Sequence, residues 1–148
     1  MVPMPRVLLV EADHTFRLRL VGLLSERFDL VVAPPGEDPL RHARAERPDC
    51  ALLSVGARSR PAAIRLARVL KTDVRTVPLV GVYARPGEYG PSAAAFASCG
   101  ADGYVAGADA DDVIRFLDAL LRGERPLSVP WPANRQSVGV RLFHRIFG

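Results

Sequence analysis

The sequence predicts an α/β fold: a doubly wound parallel sheet of five strands with helices on both faces, followed by a short C-terminal tail. Three observations carry this. Val7–Val10, Cys50–Val55 and Val77–Val82 are short apolar runs without polar alternation, the signature of strands buried on both faces. Amphipathic stretches with capping residues separate them. The alternation recurs five times in about 122 residues, which implies right-handed crossovers and a parallel sheet.

The elements follow in order. After Arg6–Val10, Asp13 is placed to cap a helix carrying Phe16, Leu20, Leu23 and Leu24. Phe28–Val32 reads as a second strand, closed by Ala33-Pro34-Pro35-Gly36. Glu37–Arg47 reads as a weak helix ended by Pro48. Cys50–Val55 is the third strand. Pro61 starts a helix with Ile64, Ala67, Val69 and Leu70. Val77–Val82 is the fourth strand, followed by the loop Arg85–Pro91 and an Ala-rich helix from about Ser92 to Cys99, stopped by Gly100. Asp102–Ala106 is the fifth strand. Asp109 caps a last helix with Val113, Ile114, Leu117, Leu120 and Leu121 inside, and Gly123 ends it.

The 148 residues amount to one domain with a short appendage. No apolar run approaches the ~20 residues of a membrane span, and the N-terminus lacks the pattern of a secretory signal. Cys50 and Cys99 sit among small and apolar residues, as reduced thiols of a cytoplasmic protein do. The net charge of +4 is unevenly placed. Residues 1–121 balance 15 basic against 15 acidic side chains, whereas five Arg face Glu124 alone from Arg122 onward. A neutral body argues against nucleic-acid binding.

Four segments, VLLVEADHTFR, RPDCALLSV, VPLVGVYA and GADGYVAGAD, resemble in order and spacing the receiver domain of bacterial response regulators, over residues 6 to about 122. The resemblance implies a flavodoxin-like sheet of order 2-1-3-4-5. It also implies a site at the carboxyl edge of the strands, and there this sequence departs from the pattern. The paired carboxylates that would hold Mg²⁺ fall on Glu11 and Ala12, with Asp13 one residue further on. The phospho-acceptor aspartate falls on Ser54, a hydroxyl that needs an activating base. Asp49 cannot substitute, because five extended residues place it ~16 Å away at the other end of the strand. The family's hydroxyl residue falls on Tyr83, whose OH is too far from its own backbone for that job. The family's lysine falls on Gly107 and its proline on Ala108, removing the cation. Tyr104 takes the position of the aromatic residue that reports the state of the site in working receivers. The chain between Tyr83 and Gly100 is about two residues longer than typical, with Gly87, Gly90 and two prolines; it is either a partner-facing loop or a tolerated surface loop.

The expectation is a domain at 1–122 and a Pro-rich linker with a basic amphipathic tail at 123–148. Pro126, Pro130 and Pro132 make Glu124–Ala133 extended. Trp131 either packs back on the domain or is an exposed recognition anchor. In Ser137–Phe147, Val138, Leu142 and Ile146 share a helical face beside Phe143 and Phe147, with Arg141, His144 and Arg145 on the other side. So short a helix needs a surface: its own domain, a second copy, another protein, or an anionic membrane, the last having least behind it.

The function expected is a non-enzymatic, phosphorylation-independent pseudo-receiver that binds protein partners or itself in two-component signalling, with no cofactor and no metal. The alternative is an atypical switch in which Glu11, Asp13 and Ser54 bind a metal or small ligand, or Ser54 is modified. A flavin or nucleotide site is disfavoured by the acidic turn EADHT, where such sites need donors. Arg58 and Arg60 are the only basic candidates near that edge and read as solvated.

Overall fold

A computed structural model describes residues 4–55, 60–73, 77–87 and 100–128. The expected helix at 92–99 with Cys99, the residues 88–91, the turn at 56–59 with Arg58, and the tail from 129 onward lie outside the described residues.

The strands are β1 (Arg6–Val10), β2 (Asp29–Val32), β3 (Cys50–Val55), β4 (Leu79–Ala84), β5 (Gly103–Val105) and β6 (Leu127–Ser128). All pair in parallel, in the order β2-β1-β3-β4-β5-β6. The first five follow the expected 2-1-3-4-5 arrangement. The sixth is an addition: the extended stretch after Gly123 turns back, Tyr104 N–H donates to the Pro126 carbonyl at 2.8 Å, and Leu127–Ser128 pair with Tyr104 and Val105.

Helices α1 (His14–Leu24) and α4 (Ala110–Leu121) cover one face, packing Leu20, Leu24, Val113, Phe116, Leu117 and Leu120 on Val7, Leu9 and Leu52. Helices α2 (Pro39–Glu46) and α3 (Arg60–Thr72) cover the other, packing Ala43, Ala63, Ala67 and Leu70 on Leu8, Ala51 and Leu53. Consecutive strand residues point to opposite faces, so the unbroken apolar runs of β1 and β3 serve both layers. Among the described residues no helix is long and apolar enough to cross a membrane.

Capping sets the helix boundaries. Asp13 accepts from Phe16 N–H at 2.8 Å and starts α1. Asp38 accepts from Leu40 N–H and Pro39 takes the first turn, so α2 begins at Pro39 rather than Glu37. Asp109 and Asp112 form a reciprocal capping box on α4. Strand β4 begins at Leu79, after Pro78, which has no N–H to give a ladder; Val77 is therefore outside it and the strand runs on to Ala84. Leu23 and Val69 are 37% and 39% exposed, on the flanks of their helices. Cys50 is a buried free thiol, and burial pushes its pKa up.

Gly81 and Gly103 are neighbours across β4 and β5. A Cβ on Gly81 would overlap Leu120 and stand 2.9 Å from the Phe116 ring, and one on Gly103 would stand 2.9 Å from both Phe116 and the Pro126 carbonyl. The glycine pair is the hollow that lets α4 lie close on the sheet and lets the chain return as β6. At the amino ends of the strands, buried Asp102 accepts from Val80 N–H at 2.8 Å and from Lys71 Nζ at 2.9 Å.

Candidate functional site

The parallel register brings the carboxyl ends of β1, β3, β4 and β5 to one edge, with Ser54 level with Tyr83 and Tyr83 level with Val105. Glu11, next after β1, turns its side chain inward until none of it is exposed. A buried carboxylate needs donors and a counter-charge, and this one has both. Its Oε2 accepts from Asp13 N–H at 2.8 Å, and its Oε1 accepts from the Tyr83 hydroxyl at 2.8 Å. Arg85 Nε stands 3.8 Å from Oε2, and Arg85 Nη1 stands 3.2 Å from Asp13 Oδ1.

Tyr83 is completely buried. Its ring stacks on Phe16, with centroids 6.0 Å apart and planes at 24°, while its side chain and that of Glu11 together bridge the two strand spacings, about 10 Å, between β4 and β1. Ser54, half-buried, stands level with Tyr83 on the neighbouring strand. Burial pushes the Tyr83 pKa well above the usual phenol value, the Glu11 charge adds to this, and Ser54 and Arg85 oppose it. The phenol is a fixed donor.

The structure thus joins four of the residues singled out, Glu11, Asp13, Ser54 and Tyr83, and adds a fifth, Arg85. Ala12 is exposed and offers only its carbonyl, 3.4 Å from Arg17 Nη1. Gly107 has φ +67°, a left-handed backbone suited to glycine, and it places no cation here. The positive charge at this edge comes from the end of β4 instead. Tyr104 is buried, 1% exposed, among the residues of the α2/α3 layer and away from Glu11. Trp131, Leu142, Phe143, Ile146 and Phe147 lie outside the described residues.

Tyr83 was expected to be a hydroxyl out of reach. It is far from its own backbone, and that length is what lets it bond to Glu11 across β3. Arg85 was read only as the start of a loop. The signal that finds it is charge balance: two acids close behind β1 call for a cation at the same edge, and Arg85 directly follows β4.

The donor set does not fit Mg²⁺. That ion takes hard oxygens with lone pairs to spare, in near-octahedral geometry. Here both Glu11 oxygens already accept hydrogen bonds, one Asp13 oxygen caps α1, the other faces a guanidinium, and position 12 has no carboxylate. Among the described residues this edge offers Ser54 no lysine as a base, and its imidazoles, on His14 and His42, are bonded to Arg17 and Glu37.

A cavity of about 290 Å³ opens on the other side of Ser54, between α2 and α3. Val10, Leu53, Ala62, Ala63 and Leu66 form its apolar wall, with Asp38, Pro39 and Ser54 at its rim.

The sequence matches no protein-family model and no curated protein. Solved structures do match. A LuxR-family two-component response regulator from Aurantimonas is 19% identical, with TM-score 0.63 over 94% of this chain and 98% of the other. A response regulator from Thermotoga maritima is 16% identical, with TM-score 0.65 over 80% and 98%. An orphan response regulator from H. pylori is 20% identical, with TM-score 0.62 over 79% and 96%. The fold is that of a response regulator receiver domain.

Proposed function

We propose that this chain is a phosphorylation-independent pseudo-receiver: a receiver-like domain at 1–122 with a tail at 123–148, serving as a protein–protein interaction or scaffold module in cytoplasmic two-component-type signalling. The observation that carries this reading is the network of Glu11, Asp13, Tyr83 and Arg85 at the strand edge beside Ser54. Phosphoryl transfer is almost wholly positioning and charge stabilisation. It needs a carboxylate nucleophile, a metal, a hydroxyl and a cation around open space. Here Ser54, Ala12, Tyr83 and Gly107 stand at those positions, and the Tyr83 phenol is committed to Glu11.

Such a site holds one arrangement rather than two, so the domain offers a constant shape and no catalysis. Its partners are signalling proteins or a second copy. The atypical-switch alternative requires Glu11, Asp13 and Ser54 to be available to a ligand, and the internal bonds of Glu11 and Asp13 speak against it.

The test is incubation with acetyl phosphate and Mg²⁺, read by intact mass spectrometry, alongside thermal unfolding with and without Mg²⁺. We expect no phosphoryl adduct and no Mg²⁺-dependent change in Tm. A variant carrying Ala12→Asp, Ser54→Asp, Tyr83→Thr and Gly107→Lys is the control that shows what a restored pocket does. A stoichiometric adduct on the parent protein, or a Tm raised by millimolar Mg²⁺, overturns the reading.

A further inference from the structure

The tail and the site edge belong together. Strand β6 runs parallel to β5 with Ser128 level with Val105, so the chain leaves the described domain at the same edge as Glu11 and Ser54. That edge is acidic: among the described residues Glu11, Asp13, Glu37, Asp38, Asp109 and Asp111 outnumber Arg17, Arg60 and Arg85, with His42 paired to Glu37. The 20 residues that follow, 129–148, carry Arg135, Arg141 and Arg145 and no acid. The domain is neutral as a whole and yet negative where its positive tail emerges.

We propose that this tail docks on its own domain, laying the apolar side of 137–147 over the cavity beside Ser54, with Arg141 and Arg145 against Asp38 and Glu37. The cavity supplies apolar lining from Val10, Leu53, Ala63 and Leu66 together with one acid, Asp38, next to Glu37 in the chain. Leu142, Phe143, Ile146 and Phe147 supply the matching apolar surface, and arginines flank it.

The reach is sufficient. β6 lies three strand spacings from β3, about 14 Å, and residues 129–137 span up to about 30 Å when extended. Trp131, three residues past Ser128, reaches only about 10 Å. That is short of the cavity, so in the proposed arrangement the phenylalanines and not the tryptophan meet it. Docking also supplies the surface that an isolated ~11-residue amphipathic helix needs in water. The proposal goes beyond the phosphorylation-independent reading and does not rest on it, since the tail can cover the cavity whether or not Ser54 accepts a phosphoryl group.

The experiment is hydrogen–deuterium exchange on the full chain at two protein concentrations, with mass spectrometric readout over 137–147. The parent is compared with three variants: Arg141→Glu with Arg145→Glu, Ala62→Arg, and the combination of all three. Ala62 lines the cavity and is itself exposed, and circular dichroism checks that each variant is folded. We expect 137–147 to exchange at least tenfold more slowly in the parent than in the tail variant, equally at both concentrations. We expect Ala62→Arg to abolish that protection and the combination to restore it. Exchange in the parent as fast as in the tail variant overturns the proposal. Protection that grows with concentration overturns it too, by assigning the tail to a second copy. Loss in both separate variants without recovery in the combination overturns the pairing at this rim.

Discussion

Replacing Tyr83 by Phe removes one oxygen from the centre of the site and little else. The ring keeps its place on Phe16 and in the core, so burial is unchanged and no cavity of consequence opens. What goes is the 2.8 Å hydrogen bond to Glu11 Oε1. A hydrogen bond to a charged group contributes about 1.5–3 kcal/mol, and a buried acceptor left short of a donor costs its desolvation as well. Glu11 keeps Asp13 N–H and the Arg85 charge, which holds the loss within that range. The expected destabilisation is therefore about 2–3 kcal/mol, seen as a midpoint about 1 M lower in urea followed by far-ultraviolet circular dichroism. Glu11→Gln in the same background should be non-additive with it by about 1 kcal/mol or more, because the two changes break one bond. A folded Tyr83→Phe protein within about 0.5 kcal/mol of the parent would refute the view that this bond ties up the pocket.

Three further outcomes are expected. Gly81→Ala drives a methyl into Leu120 and Phe116, which should cost about 1–3 kcal/mol by overpacking and lower Tm by roughly 4–10 °C in a thermal scan. Asp109→Ala removes the capping box of α4 and should cost about 1 kcal/mol in denaturant titration, within a range of about 0.5–2. In alkaline titration, Tyr83 should stay protonated after an exposed phenol ionises near pH 10, because burial and Glu11 raise its folded value. The unfolded chain then loses that proton first, so stability is unaffected by Tyr83 below about pH 10 and falls above it. Ionisation of Tyr83 together with exposed tyrosine, by the tyrosinate absorbance, would contradict its burial.

Strands β1 and β3 were legible because an unbroken apolar run on a parallel strand has one main explanation, and the caps at Asp13 and Asp109 because a carboxylate before an apolar periodicity has a local mechanism. Three features were less so. The start of β4 turned on Pro78, whose missing N–H outweighs the apolar character of Val77. β6 is two residues long and depends on Gly103 leaving room for the Pro126 carbonyl, a tertiary fact with no local signal. The replaced positions of the site were readable one by one, whereas the link between Tyr83 and Glu11 joins residues 72 positions apart and needs both register and side-chain direction. Sequence shows what a site has lost more readily than what has filled it.

The two residues of β6 also bear on colloidal behaviour. An outermost strand presents unpaired N–H and C=O groups to any extended peptide that arrives, and such rows seed intermolecular sheet growth. On the β5 flank of this domain the chain itself takes that row, with Leu127 and Ser128 opposite Tyr104 and Val105. What remains outermost there is too short to template a stable foreign pairing. β5 is thereby withdrawn from fibril-type recruitment by a segment only two residues long.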